Sequence, residues 1–420
     1  MFKEKILNLG SHLYNIMPRK FTRMKNFDNN HSLFLLGKNY FPDDSITTEK
    51  CFSDAVEIMK ELVICTYRQN YERLGNSYLT SDAGWGCAIR SSQMLIANVI
   101  IDALDSENNC ENLNDQIVES IERKQSNTNS SIRVTISPSI TDSIQQNKVD
   151  RSLSVSALSN QTDELNETND TENNTVDNIN DDININVDDE TETINDIQIN
   201  RNDVKQILQR LQKQRHNTHK HFITEMFYDN YQSLFSIHNI YNIEIVKQHN
   251  PTGHSFLPPS ICLSALCELF HQWDSRPFNC HFCRDYIPPC SSPTLLLIPR
   301  IVTQSERTLV KILMSMKQCR GFVGGVEESA IYVFGLQYNT VYFLDPHHVQ
   351  DAGPKGYDKP TIYQINLDML DNSMTFALMC ENDKDCETLR ELLKMGNEEI
   401  ESKNLKTIED LDGFEVLEFE

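Results

Sequence analysis

From about Asp105 to about Asp203 the chain is dominated by Asn, Asp, Thr, Ser and Ile, with neither glycine nor an aromatic residue, and this block limits what the rest can fold into. Residues 161–200 alone hold 13 acidic side chains, 10 Asn and no Lys or Arg. Such a stretch cannot bury enough apolar surface to offset an ordering cost of about 1–2 kcal/mol per residue. The composition therefore predicts a disordered insertion over residues 105–203. The flanking parts, residues 31–104 and 204–385, have to build one core between them, with tails at 1–30 and 386–420.

The same composition accounts for the charge. Of the formal −23, the block at 161–200 and the segment 381–420, with 14 acids against 5 bases, carry −22. The remainder is close to neutral, so the basic footprint of a nucleic-acid binder is absent. The apolar run around Leu295 to Ile298 falls far short of the ~20 residues of a membrane span. The first 27 residues are basic apart from Glu4 but lack the apolar core of a signal peptide. Twelve irregularly spaced cysteines, some inside apolar stretches (Cys262, Cys267, Cys380), read as reduced thiols and predict a cytoplasmic protein.

Periodicity supplies the elements. Ala88 to Leu104 predicts a helix apolar almost all round, hence buried, and Val204 to Leu211, Ile261 to Trp273 and Glu306 to Lys317 carry helical spacing. Thr294 to Pro299, Ala330 to Leu336 and Thr340 to Leu344 predict strands, the last two joined by a tight turn at Tyr338 and Asn339. Helices first and antiparallel strands later make an α+β plan around one core.

One cysteine has the surroundings that chemistry asks for. Cys87 follows Gly84, Trp85 and Gly86 and stands at the start of the buried helix, where unpaired N–H groups and the positive dipole end favour a thiolate. The bland alternative is a core cysteine. A second signal lies in Thr340 to Gln350, TVYFLDPHHVQ, where alternation puts Asp345 and His347 on one side and His348 on the other. A carboxylate beside an imidazole fixes its tautomer and stabilises its protonated form. An ordinary polar turn is the alternative there.

Taken together these pieces resemble the autophagins, the autophagy-related cysteine endopeptidases. The matching segments are LGKNYF (Leu36 to Phe41), TYRQNY (Thr66 to Tyr71), TSDAGWGCAIRSSQM (Thr80 to Met94) and SLFSIHNI (Ser233 to Ile240). LLLIPR (Leu295 to Arg300), GFVGG (Gly321 to Gly325) and VYFLDPHHVQ (Val341 to Gln350) follow in the family's order. The resemblance implies an α+β fold with a papain-like core, a small auxiliary subdomain and the long block as an insertion. It implies Cys87 as nucleophile, His347 as general base and later acid, and Asp345 as the group that orients the imidazole. Tyr67 would lend its hydroxyl to an oxyanion hole with the backbone N–H of Cys87; the alternative is a core tyrosine on a helix from Ala55 to Tyr71.

The implied reactions are cleavage of ubiquitin-like autophagy modifiers after their C-terminal glycine and their release from phosphatidylethanolamine, with no metal or organic cofactor. The enzyme would act as a monomer and meet membranes through its substrate. Trp85 and Phe256 are expected to contact the substrate, Phe256 standing where the family's covering loop carries Trp. A second departure is Val326 to Tyr332, which replaces a Lys-Pro-Asn and His-Tyr stretch. In the acidic tail, Phe414 and Leu417 have the spacing that adds a strand to a modifier's sheet edge. Three rival readings are weighed beside this one. The cluster Cys280, His281, Cys283 and Cys290 suggests zinc but offers a single Cys-x-x-Cys. A transglutaminase-like enzyme would place His before Asp. A modifier-binding scaffold would keep the tail and little catalysis.

Overall fold

The computed structural model describes residues 21–28, 30–42, 52–107, 201–250 and 255–394, with residues 201–208 described by their backbone. The expected disordered insertion lies outside these residues except at its two ends, and Phe414 and Leu417 lie outside them entirely. Apart from residues 201–210, everything described belongs to one compact unit built from residues 1–110 and 211–420.

The first elements are β1 (Thr22–Arg23), β2 (Leu33–Leu35), β3 (Lys38–Tyr40), α1 (Ser53–Glu61), β4 (Tyr67–Gln69), α2 (Cys87–Glu107) and α3 (Arg201–Glu225). Short helices α4 (Ile237–Asn242) and α5 (Glu244–His249) lead to α6 (Pro259–Phe270), β5 (Asn279–Phe282), β6 (Thr294–Ile301) and α7 (Arg307–Ser315). After them come β7 (Cys319–Val326), β8 (Ser329–Gln337), β9 (Thr340–Leu344), β10 (Val349–Asp351), β11 (Ile362–Asn366), β12 (Ser373–Cys380) and α8 (Asp383–Lys394). The result is a mixed fold of helices and a mostly open sheet in the order β1-β11-β9-β8-β7-β12-β6-β5, with β2 joined to β8 and β3 to β2. Every pair in that sheet is antiparallel except β5 with β6.

The strands alternate between two cores rather than one, which corrects the single-core expectation. Leu295, Leu297, Val323, Tyr332, Phe334, Tyr342 and Leu344 face a cluster that includes α2 and α6. Their neighbours Leu296, Ile298, Phe322, Ile331, Val333, Val341 and Phe343 face a second cluster with α7 and α8. A sheet covered on both faces needs apolar residues at every position, which is why these strands read as unbroken apolar runs. Helix α2 is by length and composition capable of crossing a membrane, but here it is a core helix packed on all sides.

The element boundaries follow the expected ones where local signals were strong. Strand β9 matches Thr340 to Leu344, and the turn before it places Tyr338 at φ 55°. Helix α7 stops at Ser315, and the short 3₁₀ turn that precedes it carries a capping box between Thr303 and Glu306. Two expectations need correction. The end of the supposed N-terminal tail is part of the sheet: Thr22 and Arg23 pair with Gln364 and Tyr363, and the Phe21 ring meets Phe343 edge-on at 5.0 Å. The cysteines are not all reduced, because Cys290 and Cys386 form a disulfide with Cα atoms 6.6 Å apart. The two lie 96 residues apart, so only the fold brings them together. The pairing also removes Cys290 from the supposed zinc cluster.

The connection between β7 and β8 carries an unusual strain. Glu327 and Glu328 both adopt left-handed φ, 48° and 67°, and their N–H groups donate to the two carboxylate oxygens of Asp371 at 3.2 Å. Left-handed backbone costs a side-chain-bearing residue about 1–2 kcal/mol. Glu328→Gly is expected to raise the thermal midpoint by relieving about 0.5–1 kcal/mol, the remainder being spent on a more flexible unfolded chain. A lower midpoint in calorimetry would show that the Glu328 side chain stabilises the turn.

Candidate active site

The sulfur of Cys87 sits at the first turn of α2, 2% exposed, where Gly86 accepts the N–H of Arg90 and opens the helix. The turn before it is shaped by Asp82, whose carbonyl accepts the N–H groups of Trp85 at 3.1 Å and Gly86 at 2.9 Å. Gly84 lies at φ 85°, and a Cβ on Gly86 would run into the Asp82 side chain. Both glycines before the sulfur are thus required by geometry.

His347 and Asp345 reach the sulfur from just beyond β9. The Nδ1–H of His347 donates to Asp345 Oδ1 at 2.5 Å, and the His347 backbone N–H donates to the same oxygen at 3.1 Å. Strand alternation is therefore not the device: β9 ends at Leu344, and an Asx-type turn through Pro346 brings the two side chains together. The imidazole that meets the Cys87 thiol by hydrogen bond is that of His347. His348 donates its backbone N–H to the Pro346 carbonyl at 2.8 Å.

Tyr67 stands on β4 and not on a helix. Helix α1 ends at Glu61, and the β-branched residues Val63, Ile64 and Thr66 favour the extended chain that follows. Its parallel pairing with β10 sets Tyr67 opposite Val349, and the Tyr67 N–H donates to the Pro346 carbonyl at 2.9 Å. The ring meets that of His347 edge-on at 5.4 Å, and its hydroxyl bonds the Cys87 sulfur. It is both a buried tyrosine, 1% exposed, and a neighbour of the thiol.

Burial works against a charged sulfur here. The hydrogen bond and charge of His347, a backbone hydrogen bond at Ala330 and the Tyr67 hydroxyl more than reverse it, leaving the thiol below its usual range. Burial likewise works against an imidazolium, but Asp345 and Cys87 raise His347 to about 9. The two shifts point the same way, toward a thiolate beside an imidazolium.

The other expected residues fall less centrally. Trp85 is turned inward, 5% exposed, with its Nε1–H donated to the Ser81 carbonyl at 3.1 Å, so in this conformation its ring packs in the core. Phe256 is 62% exposed just before α6, and Cys262 on that helix lies within electrostatic reach of Cys87. Among the described residues no group of three or more His, Cys, Asp and Glu is arranged to hold a metal ion.

Sequence reasoning missed the polar layer beneath the sulfur. Arg90, fully buried, donates from Nε and Nη2 to Asp82 at 2.8 and 3.0 Å, and from Nη1 to Asp229 at 2.7 Å. Complete burial opposes its charge, yet the carboxylates of Asp229 and Asp82 hold it above its usual range. The available signal was an arginine inside a largely apolar, buried helix, since a buried charge requires a partner.

The Cys87 thiol, the His347 imidazole and the Asp345 carboxylate thus stand together at the N-terminus of α2. The chain matches the Peptidase C54 catalytic domain over residues 52–288 and 290–392, and it belongs to that family of cysteine proteases, the autophagins. It is 28% identical over 185 residues to a probable cysteine protease ATG4 of Meyerozyma guilliermondii, covering 40% of this chain and 45% of the relative. To cysteine protease ATG4A of Oryza sativa subsp. japonica it is 28% identical over 125 residues, 25% of this chain and 26% of the relative. To cysteine protease ATG4C of Xenopus laevis it is 21% identical over 416 residues, 87% of this chain and 80% of the relative. The chain thus spans less than half the length of the first two.

Arg90→Met is expected to cost about 3–5 kcal/mol in denaturant unfolding, because it leaves Asp82 and Asp229 buried without a counter-charge. A cost below about 1 kcal/mol would mean that water or another base can reach the carboxylates.

Proposed function

We propose that this protein is a cysteine endopeptidase that cleaves ubiquitin-like autophagy modifiers after their C-terminal glycine and releases them from phosphatidylethanolamine, on a papain-like core, in the cytoplasm. The observation that carries the proposal is the hydrogen-bonded order Cys87, His347, Asp345 with the sulfur at the start of α2. The thiolate attacks the carbonyl carbon of the glycine itself, and charge builds on its oxygen, met by the Tyr67 hydroxyl and the backbone N–H of Cys87. His347 gives its proton to the leaving amine, which is the next residue's nitrogen in a precursor and the ethanolamine nitrogen in a lipid conjugate. His347 then takes a proton from water, whose oxygen attacks the thioester and frees the sulfur. These steps use the side chains of this chain and water alone. Asp345 keeps the imidazole in the tautomer that serves both transfers. Phe256, exposed at the entrance to α6, and Trp85, once turned outward, are assigned to the substrate's C-terminal segment. Phe414 and Leu417 are assigned to strand addition on the modifier, which engages the protein as a monomer.

A thiol-directed probe built on a modifier's C-terminal glycine is expected to label Cys87. Cys87→Ala and His347→Ala should each abolish cleavage, and Asp345→Asn should be severe but incomplete. Tyr67→Phe should lower kcat by about 10²-fold, or ~3 kcal/mol, with KM little changed. A protein that binds the modifier without being labelled is a scaffold, and parent-level turnover in Cys87→Ala would end the mechanism.

The pH profile follows from the two shifts. The active pair forms as the thiol loses its proton and is lost when His347 deprotonates, so kcat/KM should be bell-shaped with its alkaline limb near about 9. Asp345→Asn removes a contact that raises His347, so that limb should move down. An alkaline limb that stays in place in Asp345→Asn would exclude His347 as its source.

A further inference from the structure

We propose that Arg68 is a positioning residue that fixes the Cys87 and His347 side chains relative to each other, by tying together the three chain segments that carry the sulfur, the imidazole and the Tyr67 hydroxyl. The proposal rests on the cysteine-protease reading of the site and adds to it a residue that touches none of the reacting atoms.

The first tie is to the sulfur. Arg68 donates its backbone N–H to Asp82 Oδ1 at 2.7 Å, and its carbonyl accepts the Asp82 N–H at 3.1 Å. Asp82 in turn holds the N–H groups of Trp85 and Gly86, directly before Cys87. The second tie is to the imidazole. The Arg68 guanidinium crosses beneath β10 and donates from Nη1 to the carbonyls of Asp351 at 3.1 Å and Lys355 at 2.7 Å, and from Nη2 to Gly356 at 3.1 Å. It then lies over the Tyr357 ring, 4.2 Å from the centroid. These groups belong to the end of β10 and the turn that follows it, downstream of His347. The third tie is covalent, since Tyr67 precedes Arg68 on β4.

Stability alone does not account for this residue. The Arg68 side chain is wholly buried, and its guanidinium is met by carbonyl oxygens and an aromatic face instead of a carboxylate. Burying a guanidinium carries a desolvation penalty that an apolar residue of similar volume would avoid. What an apolar residue could not do is collect three carbonyls from one turn in a fixed fork. The ladder of β10 on β4 is only three residues long and the Tyr67 N–H holds Pro346 by one further bond, so without that fork the segment after His347 is more weakly held against β4 and the sulfur's turn. A shift of about 1 Å between reacting groups costs on the order of 10²-fold in rate.

The test uses Arg68→Met, Arg68→Lys and Gly356→Ala in the full chain. For each, kcat and KM are measured on a protein substrate, along with the thermal midpoint and the pH dependence of Cys87 alkylation by iodoacetamide, followed by mass spectrometry of the Cys87 peptide. Both Arg68 variants are expected to lose on the order of 10²-fold in kcat with KM within about 2-fold. Their alkylation midpoint should move up toward that of a free thiol, because the hydrogen bond from His347 is weakened. Gly356→Ala leaves Arg68 in place but displaces the turn from its far side, since Gly356 lies at φ 82° and a Cβ would meet the Gln350 side chain. It should show the same changes to a smaller degree. Variants that lose thermal stability while keeping the parent's kcat and alkylation midpoint would overturn the proposal and leave Arg68 a structural residue. If the Arg68 variants fail to fold, Gly356→Ala decides by the same criterion. A parent whose Cys87 titrates as a free thiol would remove the cysteine–imidazole pair, and this proposal with it; a perturbed parent with unmoved variants would overturn the role of Arg68 alone.

Discussion

The guanidinium of Arg90, without exposed surface, is met by two carboxylates, and its meeting with Asp82 and Asp229 joins the two parts of the chain at the site. Asp82 and Arg90 come from before the long low-complexity block and Asp229 from after it. The same carboxylate that neutralises Arg90 accepts the backbone N–H of Arg68, and the Asp82 carbonyl shapes the turn into Cys87. Further pairings surround it: Gln93 accepts from the guanidinium and donates to the Phe235 carbonyl, and Tyr357 bonds the Phe227 carbonyl and Asp229. Such a layer is costly when one member is removed and specific when all are present. The local geometry of the sulfur therefore depends in part on Asp229, 139 positions beyond Arg90 in sequence.

The candidate site was legible because its chemistry is concentrated in short segments. Gly84, Trp85, Gly86 and Cys87 form one turn, and Asp345 and His347 are two residues apart, so each half carries its own signal. The buried helix and the strands Thr340–Leu344 and Thr294–Ile301 were legible for the same reason, a long apolar run of one kind. Strand β7 was not, because Gly321, Gly324 and Gly325 weaken its propensity while pairing with β8 and β12 on either side holds it extended. The three-residue strands β2 and β3 are too short to show a period; β2 is held by the end of β8 and β3 by β2. The Asp82–Arg90–Asp229 layer and the Arg68 fork escaped because their partners are brought together by the fold and not by spacing.

The long helix also explains why so large a block can interrupt the chain. Helix α2 runs from Cys87 to Glu107, about 30 Å at 1.5 Å per residue, so the sulfur and the point of departure stand at opposite ends of one rigid element. At the far end Asp105 receives the Nδ1 atoms of His216 at 2.5 Å and His219 at 2.8 Å, both from α3. Burial opposes the charge on that carboxyl, but the two imidazoles hold it down to about 2. The chain is thus re-anchored where it returns, by contacts that do not involve the sulfur's surroundings. Loop closure grows only slowly with length, so once both ends are fixed the number of residues between them has little effect on the core. Helix α2 thus carries the buried charges at one end and the histidine clasp at the other, so the contacts that hold the returning chain are separate from those that shape the turn into Cys87.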